Sequence, residues 1–283
     1  MNSAATSVPP LVLGLVLASA LLHASWNALL RSGADRLWSI TVMCAMSGVA
    51  AATAAVFLPL PAPAAWPFVV LSASLQIGYC LFLVRAYRDG LLSQVYPIAR
   101  GAAPLLVALG AAVFAGEHLA PRAIAGLAMV SGGIVALSFG RDRPDVRSTL
   151  AALATGAFVA GYMVSDGLGV RAAQHPAAYV AWMSLAQGLP MPLIFLAIRR
   201  RFPPVRPDRD TAKALGGGLV SLLAYGVVVW AMSTTDMAKV SGLRETSILF
   251  ATIIAALFLR EPLTLRRGAC AVVICAGAIL LAG

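Results

Sequence analysis

Residues 100–119 read RGAAPLLVALGAAVFAGEHL, and residues 244–263, 144 positions later, read RETSILFATIIAALFLREPL. At this one offset Arg100 meets Arg244, Leu105 meets Leu249, and Ala111-Ala112 meet Ala255-Ala256. Phe114 meets Phe258, Glu117 meets Glu261 and Leu119 meets Leu263. Farther along, Arg122 meets Arg266 and Gly133 meets Gly277. Shared hydrophobicity alone does not place an arginine and a glutamate in register twice. The chain is a doubled one, with residues 1–143 and 144–283 as its halves. The front of each half aligns poorly, with Asn27 opposite Asp166 as the best match.

The composition says where these halves reside. Of 283 residues, 60% are hydrophobic and 11% charged, with mean hydropathy +0.87. A soluble domain carries roughly 25% charged residues, so this is an integral membrane protein. A helical span needs about 20 mainly apolar residues. Ten apolar segments can be counted, at about 10–31, 37–58, 67–87, 91–114, 121–140, 148–170, 176–198, 212–232, 237–259 and 265–282. They use most of the chain and leave no room for a sizeable soluble domain. The runs are unbroken rather than alternating, which excludes a membrane β-barrel. Helices satisfy every backbone polar group within such segments. The expected fold is all-α: ten transmembrane helices in two repeats of five.

Five is odd, so the two halves must enter the membrane in opposite senses, as inverted-topology repeats. The cations support the count. Odd-numbered connections hold Arg31, Arg36, Arg85, Arg88, Arg141, Arg143, Arg147, Arg199, Arg200, Arg201, Arg206, Arg209, Lys213, Arg260, Arg266 and Arg267. Even-numbered ones hold Arg122, Arg171 and Lys239, a bias of 16 to 3. The positive-inside rule places the odd connections in the cytoplasm and both termini outside. The net charge of +10 is thus a topology signal, and no nucleic-acid partner is expected. No basic stretch precedes the first apolar run, so a cleaved signal peptide is not expected.

These features resemble the drug/metabolite transporter superfamily, specifically ten-helix EamA-type proteins. The resemblance rests on the doubled helix, short turn with glutamate and Gly-containing helix, Phe114-Ala-Gly-Glu117-His-Leu119 and Phe258-Leu-Arg-Glu261-Pro-Leu263. The stretches from Tyr96 to Gly101 and from Gly242 to Ser247 look like versions from one bacterial branch. The resemblance implies a central cavity between the repeats and a role in moving small polar metabolites across a bacterial inner membrane. Bacterial members often export amino acids and related compounds. Small four-helix multidrug members carry a coupling carboxylate in the first helix. Here that helix has His23 and Asn27 but no acid, so coupling at that position does not carry over.

Arg100 and Arg244 sit roughly 10–15 Å deep in their spans, where a charge must face protein or a wet cavity. Each is either an anion clamp for carboxylate or phosphate or an anchor between helices. Glu245 follows Arg244 directly, so their side chains diverge by about 100°. Glu245 is expected to be a coupling site or half of a buried pair with an arginine. Asp166 is expected to be a coupling site or solvated at the interface near the end of the sixth span, and His23 is a third coupling candidate. Trp26, Asn27, Tyr79, Tyr96, Arg100, Tyr162, Trp230 and Arg244 form the expected substrate site, with Gln76, Tyr225, Ser241 and Ser247 on the same helix faces. The other reading for the aromatics is an interfacial belt.

Pro97 and Pro104 could break the fourth helix beside Arg100 or be tolerated there. Glu117 and Glu261 are expected to satisfy backbone donors at the starts of the fifth and tenth helices. Gly132-Gly133 and Gly216-Gly217-Gly218 should allow close helix approach. Cys44, Cys80, Cys270 and Cys275 lie in apolar runs without metal-site spacing and read as buried free thiols. Enzyme signatures are absent; neither a metal nor a cofactor is expected. The partners are then a small-molecule substrate and the bilayer, with the monomer as the working unit. A lipid flippase, an organic-anion or phosphate-metabolite exchanger, or a lipid-modifying enzyme are the alternative readings. The expected topology is tested by C-terminal fusions: a phosphatase should be active outside and a fluorescent protein dark. The opposite pair of results refutes it.

Overall fold

The computed structural model describes residues 7–30, 35–88, 92–138, 146–203, 209–258 and 264–283. Among them the chain is helical throughout, with no strand. The helices are α1 (Pro10–Leu30), α2 (Arg36–Ala55), α3 (Trp66–Arg88), α4 (Leu92–Ala115), α5 (Pro121–Ser138) and α6 (Val146–Ala172). They continue with α7 (Pro176–Gly188), α8 (Pro190–Arg199), α9 (Arg209–Met232), α10 (Met237–Arg244), α11 (Ser247–Phe258) and α12 (Leu265–Ala282). Nine described stretches are long and apolar enough to cross a membrane, and the apolar part of α5, Pro121–Leu137, is shorter. The chain is a multi-pass membrane protein.

Two expected spans are each divided into two helices. The seventh is interrupted where Pro190 and Pro192 remove backbone donors, giving α7 and α8. The ninth breaks between Arg244 and Ser247 although it holds no proline there. The backbone tightens instead: Thr246 N–H donates to Leu243 O (3.1 Å), Ile248 N–H to Glu245 O (3.1 Å), and Leu249 N–H to Thr246 O (2.9 Å). The Thr246 hydroxyl also takes the Leu243 carbonyl at 2.7 Å, a local bond that competes with the α-helical ladder. The fourth span, by contrast, runs unbroken through Pro97 and Pro104. Of the two readings for Pro97 and Pro104, the helix tolerates them, and the interruption lies beside Arg244.

The helix neighbours fall into matched sets. α3 packs on α6 as α9 packs on α1, and α3 on α7 as α9 on α2. α4 packs on α5 as α10 does on α12, and α4 on α6 as α10 and α11 do on α1. The pairs α2–α7 and α5–α12 map onto themselves. The principal helix contacts therefore recur when residues 1–143 and 144–283 are exchanged, although α6 also meets α7 and α9 without a counterpart of the same size at α1.

Large apolar side chains such as Leu109, Val113, Leu223, Val272 and Ile279 point outward, the surface a bilayer requires. Small ones pack inward. Ala99, Ala103, Val107 and Ala111 form a buried stripe at i, i+4 spacing on α4. Because lipid is as apolar as leucine, helices associate through close packing and hydrogen bonds rather than hydrophobic exclusion. Ser19 Oγ accordingly donates to Ala224 O and Ser47 Oγ to Gly218 O, each at 2.7 Å.

One close crossing joins α5 and α12. A Cβ on Gly126 would lie 2.7 Å from Gly277 O, and one on Gly277 would lie 2.7 Å from Gly126 O. Gly133 and Gly218 are also closely approached, by Ile274 and Met43 O, whereas Gly132 and Gly216 face open space. Gly277→Leu should therefore lower stability by about 1–3 kcal/mol or more through overpacking, while Gly132→Ala should be neutral. Thermal unfolding of the purified variants reads the contrast, and equal behaviour would remove the argument.

Candidate functional site

A cavity of about 200 Å³ lies between the halves. It is bounded by the last turns of α1, the first half of α2, the middles of α3, α6 and α9, the second half of α7, and by Arg100 and Arg244. On α1, His23, Trp26 and Asn27 share one face, with His23 and Trp26 edge to face at 5.2 Å. Asn27 Nδ2 donates to His23 O at 2.7 Å. Tyr79, Tyr162 and Tyr225 form an edge-to-face row, with centroids 6.0 and 5.8 Å apart. The guanidinium of Arg244 lies over the Tyr225 ring, 5.2 Å from its centroid, a cation–π contact.

The two repeat-related arginines differ in partner. Arg100 Nε lies 2.9 Å from Glu245 Oε2, with the two side chains 4% and 1% exposed. The Nε–H is not directed along that line, so this is an ion pair more than a well-formed hydrogen bond. Arg100 Nη2 also donates to Ser247 Oγ at 3.3 Å. In the other half, the position matching Glu245 is Gly101. Arg244 makes no ion pair among the described residues; its neighbours are the Tyr225 ring and Met163 Sδ at 3.8 Å. One of the two arginines is thus neutralised, and the other meets no acid at contact distance among the described residues.

Asp166 is fully buried rather than solvated at an interface. Tyr179 Oη donates to Oδ1 at 2.9 Å and Tyr225 Oη to Oδ2 at 2.5 Å. On α3, Ser72 Oγ accepts from Gln76 Nε2 at 2.9 Å. Asp166 therefore ties α6, α7 and α9 together and fixes the ring on which Arg244 rests.

Of the expected substrate residues, Trp26, Asn27, Tyr79, Arg100, Tyr162 and Arg244 line the cavity. Trp230 does not; it packs against the apolar core. The Tyr96 side chain lies outside the described residues. Of the coupling candidates, His23 lines the cavity, whereas Asp166 and Glu245 lie behind its wall. Ser39, Met43, Cys44 and Ser47 on α2, Ser184 and Gln187 on α7, and Ser221 on α9 complete the lining. Their signal in the sequence was a weak polar stripe at i, i+4 spacing on otherwise apolar helices. Cys44 and Cys80 meet across α2 and α3. All four cysteines are free, and Cys275 is exposed on α12 rather than buried.

The opposite end of the bundle is closed. Arg171, in the last turn of α6, donates to Glu117 Oε1 at 2.6 Å, to Met232 O at 2.9 Å and to Thr235 O at 3.1 Å. Glu117 Oε2 accepts the Met237 N–H at 2.9 Å. Glu117 thus satisfies a backbone donor at the start of α10, in the other half, rather than at the start of its own α5. Glu261 lies outside the described residues. Lys239, counted with the even connections, is buried in α10 and paired with Asp236 at 2.9 Å.

Removing one member of the buried pair strands the other, at a cost of about 3–5 kcal/mol. Glu245→Gln and Arg100→Gln should each lower the thermal unfolding midpoint, and the double variant should recover a large part of the loss. Fully additive losses would show that the two residues do not depend on each other.

Comparison with known proteins completes the description. Residues 147–283 match the EamA-like transporter family. A search of curated proteins finds no match. A crystal structure is similar over 95% of this chain and 94% of its own, with a TM-score of 0.75 at 20% identity; that likeness shows the fold. By that match the second half of this multi-pass membrane protein is similar to the EamA-like transporter family, a family of small-molecule transporters.

Proposed function

We propose that the protein is a secondary active transporter of the bacterial inner membrane that exports a small carboxylate-bearing metabolite, amino-acid-like in size and polarity. It works by alternating access around the central cavity, with two five-helix halves inserted in opposite senses and both termini on the periplasmic side. The observation that carries this reading is Arg244: a cavity-lining guanidinium with no acid partner among the described residues. A guanidinium binds carboxylate through paired charge-assisted hydrogen bonds, and the Tyr225 ring beneath it fixes its plane. Trp26, Tyr79 and Tyr162 supply apolar walls, while Asn27, Gln76 and Gln187 supply polar points for orientation.

The matched neighbours of the two halves support rocking of one against the other, and the Arg171–Glu117 clamp is the closed gate of this conformation. By the cation bias, the cavity end faces the cytoplasm, the side from which an exporter loads. His23 is the coupling candidate that substrate can reach; Glu245 is committed to Arg100, and Asp166 to two tyrosines.

One feature favours a second reading, an organic-anion or phosphate-metabolite exchanger. His23, Arg100 and Arg244 line the cavity, but no aspartate or glutamate among the described residues does. An amino acid's ammonium would have to rest on amide, hydroxyl and aromatic groups. Counterflow in proteoliposomes with amino acids and organic anions separates the two. Arg244→Gln should weaken apparent affinity about 10- to 100-fold, the scale of a charged hydrogen bond of about 1.5–3 kcal/mol. The variant's unfolding midpoint should change little. Saturable flux with none of the panel would overturn the substrate class, and flux indifferent to Arg244→Gln would remove the arginine from the site.

A further inference from the structure

A second hollow, of about 510 Å³, lies outside the central cavity, between α1 and α9 on the bundle's outer surface. Its mouth carries Arg209 and Lys213, one turn apart on the first turns of α9. Its floor and sides are Leu22, Gly216, Val220 and the outer side of Trp26. From Arg209 to Val220 the helix rises about 16 Å, which is the depth of one leaflet of a hydrocarbon core about 30 Å thick. Arg209 opens a 24-residue apolar helix, so the two cations sit at headgroup level and the groove runs inward from them.

The groove is apolar where acyl chains lie and cationic where phosphates lie. We infer that it holds one anionic phospholipid, with its phosphate on Arg209 and Lys213 and one acyl chain running over Gly216 to Trp26. Three features of the groove fix this occupant. The charge is complementary: Arg209 makes no ion pair among the described residues, and Lys213 one turn on adds a second positive charge, its 3.4 Å contact with solvent-exposed Asp210 being a weak attraction. The missing side chain at Gly216 leaves room, since a Cβ there would meet nothing within 4 Å. The depth matches a single leaflet rather than a whole bilayer.

Trp26 gives the site a consequence. It walls both the groove and the central cavity, so the lipid presses on the outer face of a side chain whose inner side lines the cavity. The inference does not depend on which metabolite is moved.

The test uses the full chain purified in detergent, with dioleoylphosphatidylglycerol, dioleoylphosphatidylcholine or inorganic phosphate added. Native mass spectrometry reads retained lipid, and thermal unfolding reads stabilisation. Phosphatidylglycerol should be retained with a roughly 10-fold preference over phosphatidylcholine, the scale set by two surface cations less the opposing Asp210. It should also raise the unfolding midpoint, whereas inorganic phosphate should not. The variant R209Q/K213Q should lose the preference while unfolding normally in phosphatidylcholine. Gly216→Phe should lower retention of either lipid. Equal retention of the two lipids by the unmodified protein overturns the proposal. So does a preference that survives R209Q/K213Q, or stabilisation by phosphate alone equal to that by the lipid. Should Gly216→Phe unfold, the charge variant still decides.

Discussion

The ion pair of Arg100 and Glu245 joins the two halves at the point where the ninth span gives up its regular helix. Each charge, taken alone out of water, costs several kcal/mol, and the low-dielectric interior returns that only when the partner is close. Glu245 reaches Arg100 because α10 ends at Arg244 and the chain tightens through Thr246 before α11 begins. Were the helix continuous there, as it is at the matching Gly101, the direction of Glu245 would be set by the regular helix. The pair also determines what remains for the cavity. With Arg100 neutralised, Arg244 is left as a cation that the described acids do not balance at contact distance.

Around that pair, the bundle is held by the means open to a membrane protein. Close crossings at Gly126–Gly277 and Gly48–Gly188, serine hydroxyls on neighbouring carbonyls, and buried alanine stripes bring backbones together where lipid offers no hydrophobic contrast. Polar side chains then divide the molecule into two ends. One end is tied by Arg171, Glu117 and the first N–H of α10. The other holds the cavity, floored by Asp166 through Tyr179 and Tyr225. The first cluster links α6 to the turn after α4 and to α9 and α10, and the second links it to α7 and α9, so a change in either would move several helices together.

The cavity is a mixed surface rather than a purely cationic one. Its tyrosine row and Trp26 are broad apolar faces, and the hydroxyls of Ser39, Ser47, Ser184 and Ser221 ring them with small donors and acceptors. Such a site orients a ligand by a few polar contacts while most of its area is apolar. Arg244 supplies the strongest of these contacts because its plane is fixed from below by Tyr225, whose hydroxyl is in turn fixed by Asp166.

Much of this was legible in the amino-acid order. Apolar run length and charge scarcity determine a multi-pass helical membrane protein, because hydrocarbon thickness and backbone satisfaction leave few alternatives. They also single out Arg100 and Arg244, since an intramembrane charge is too costly to be idle. What only the tertiary structure decided is which charge meets which. Glu245 is adjacent to Arg244 in sequence but pairs with Arg100, and Asp166 lies buried against tyrosines 13 and 59 residues away. The serines and Gln187 of the cavity were not legible for the same reason: in an apolar helix a serine can bond its own backbone, and only packing shows which ones face open space. Trp230 was misplaced because an aromatic at helical spacing fits core, interface and cavity alike. Local sequence sets length, polarity and helix; direction and partner come from long-range packing, which no single segment encodes.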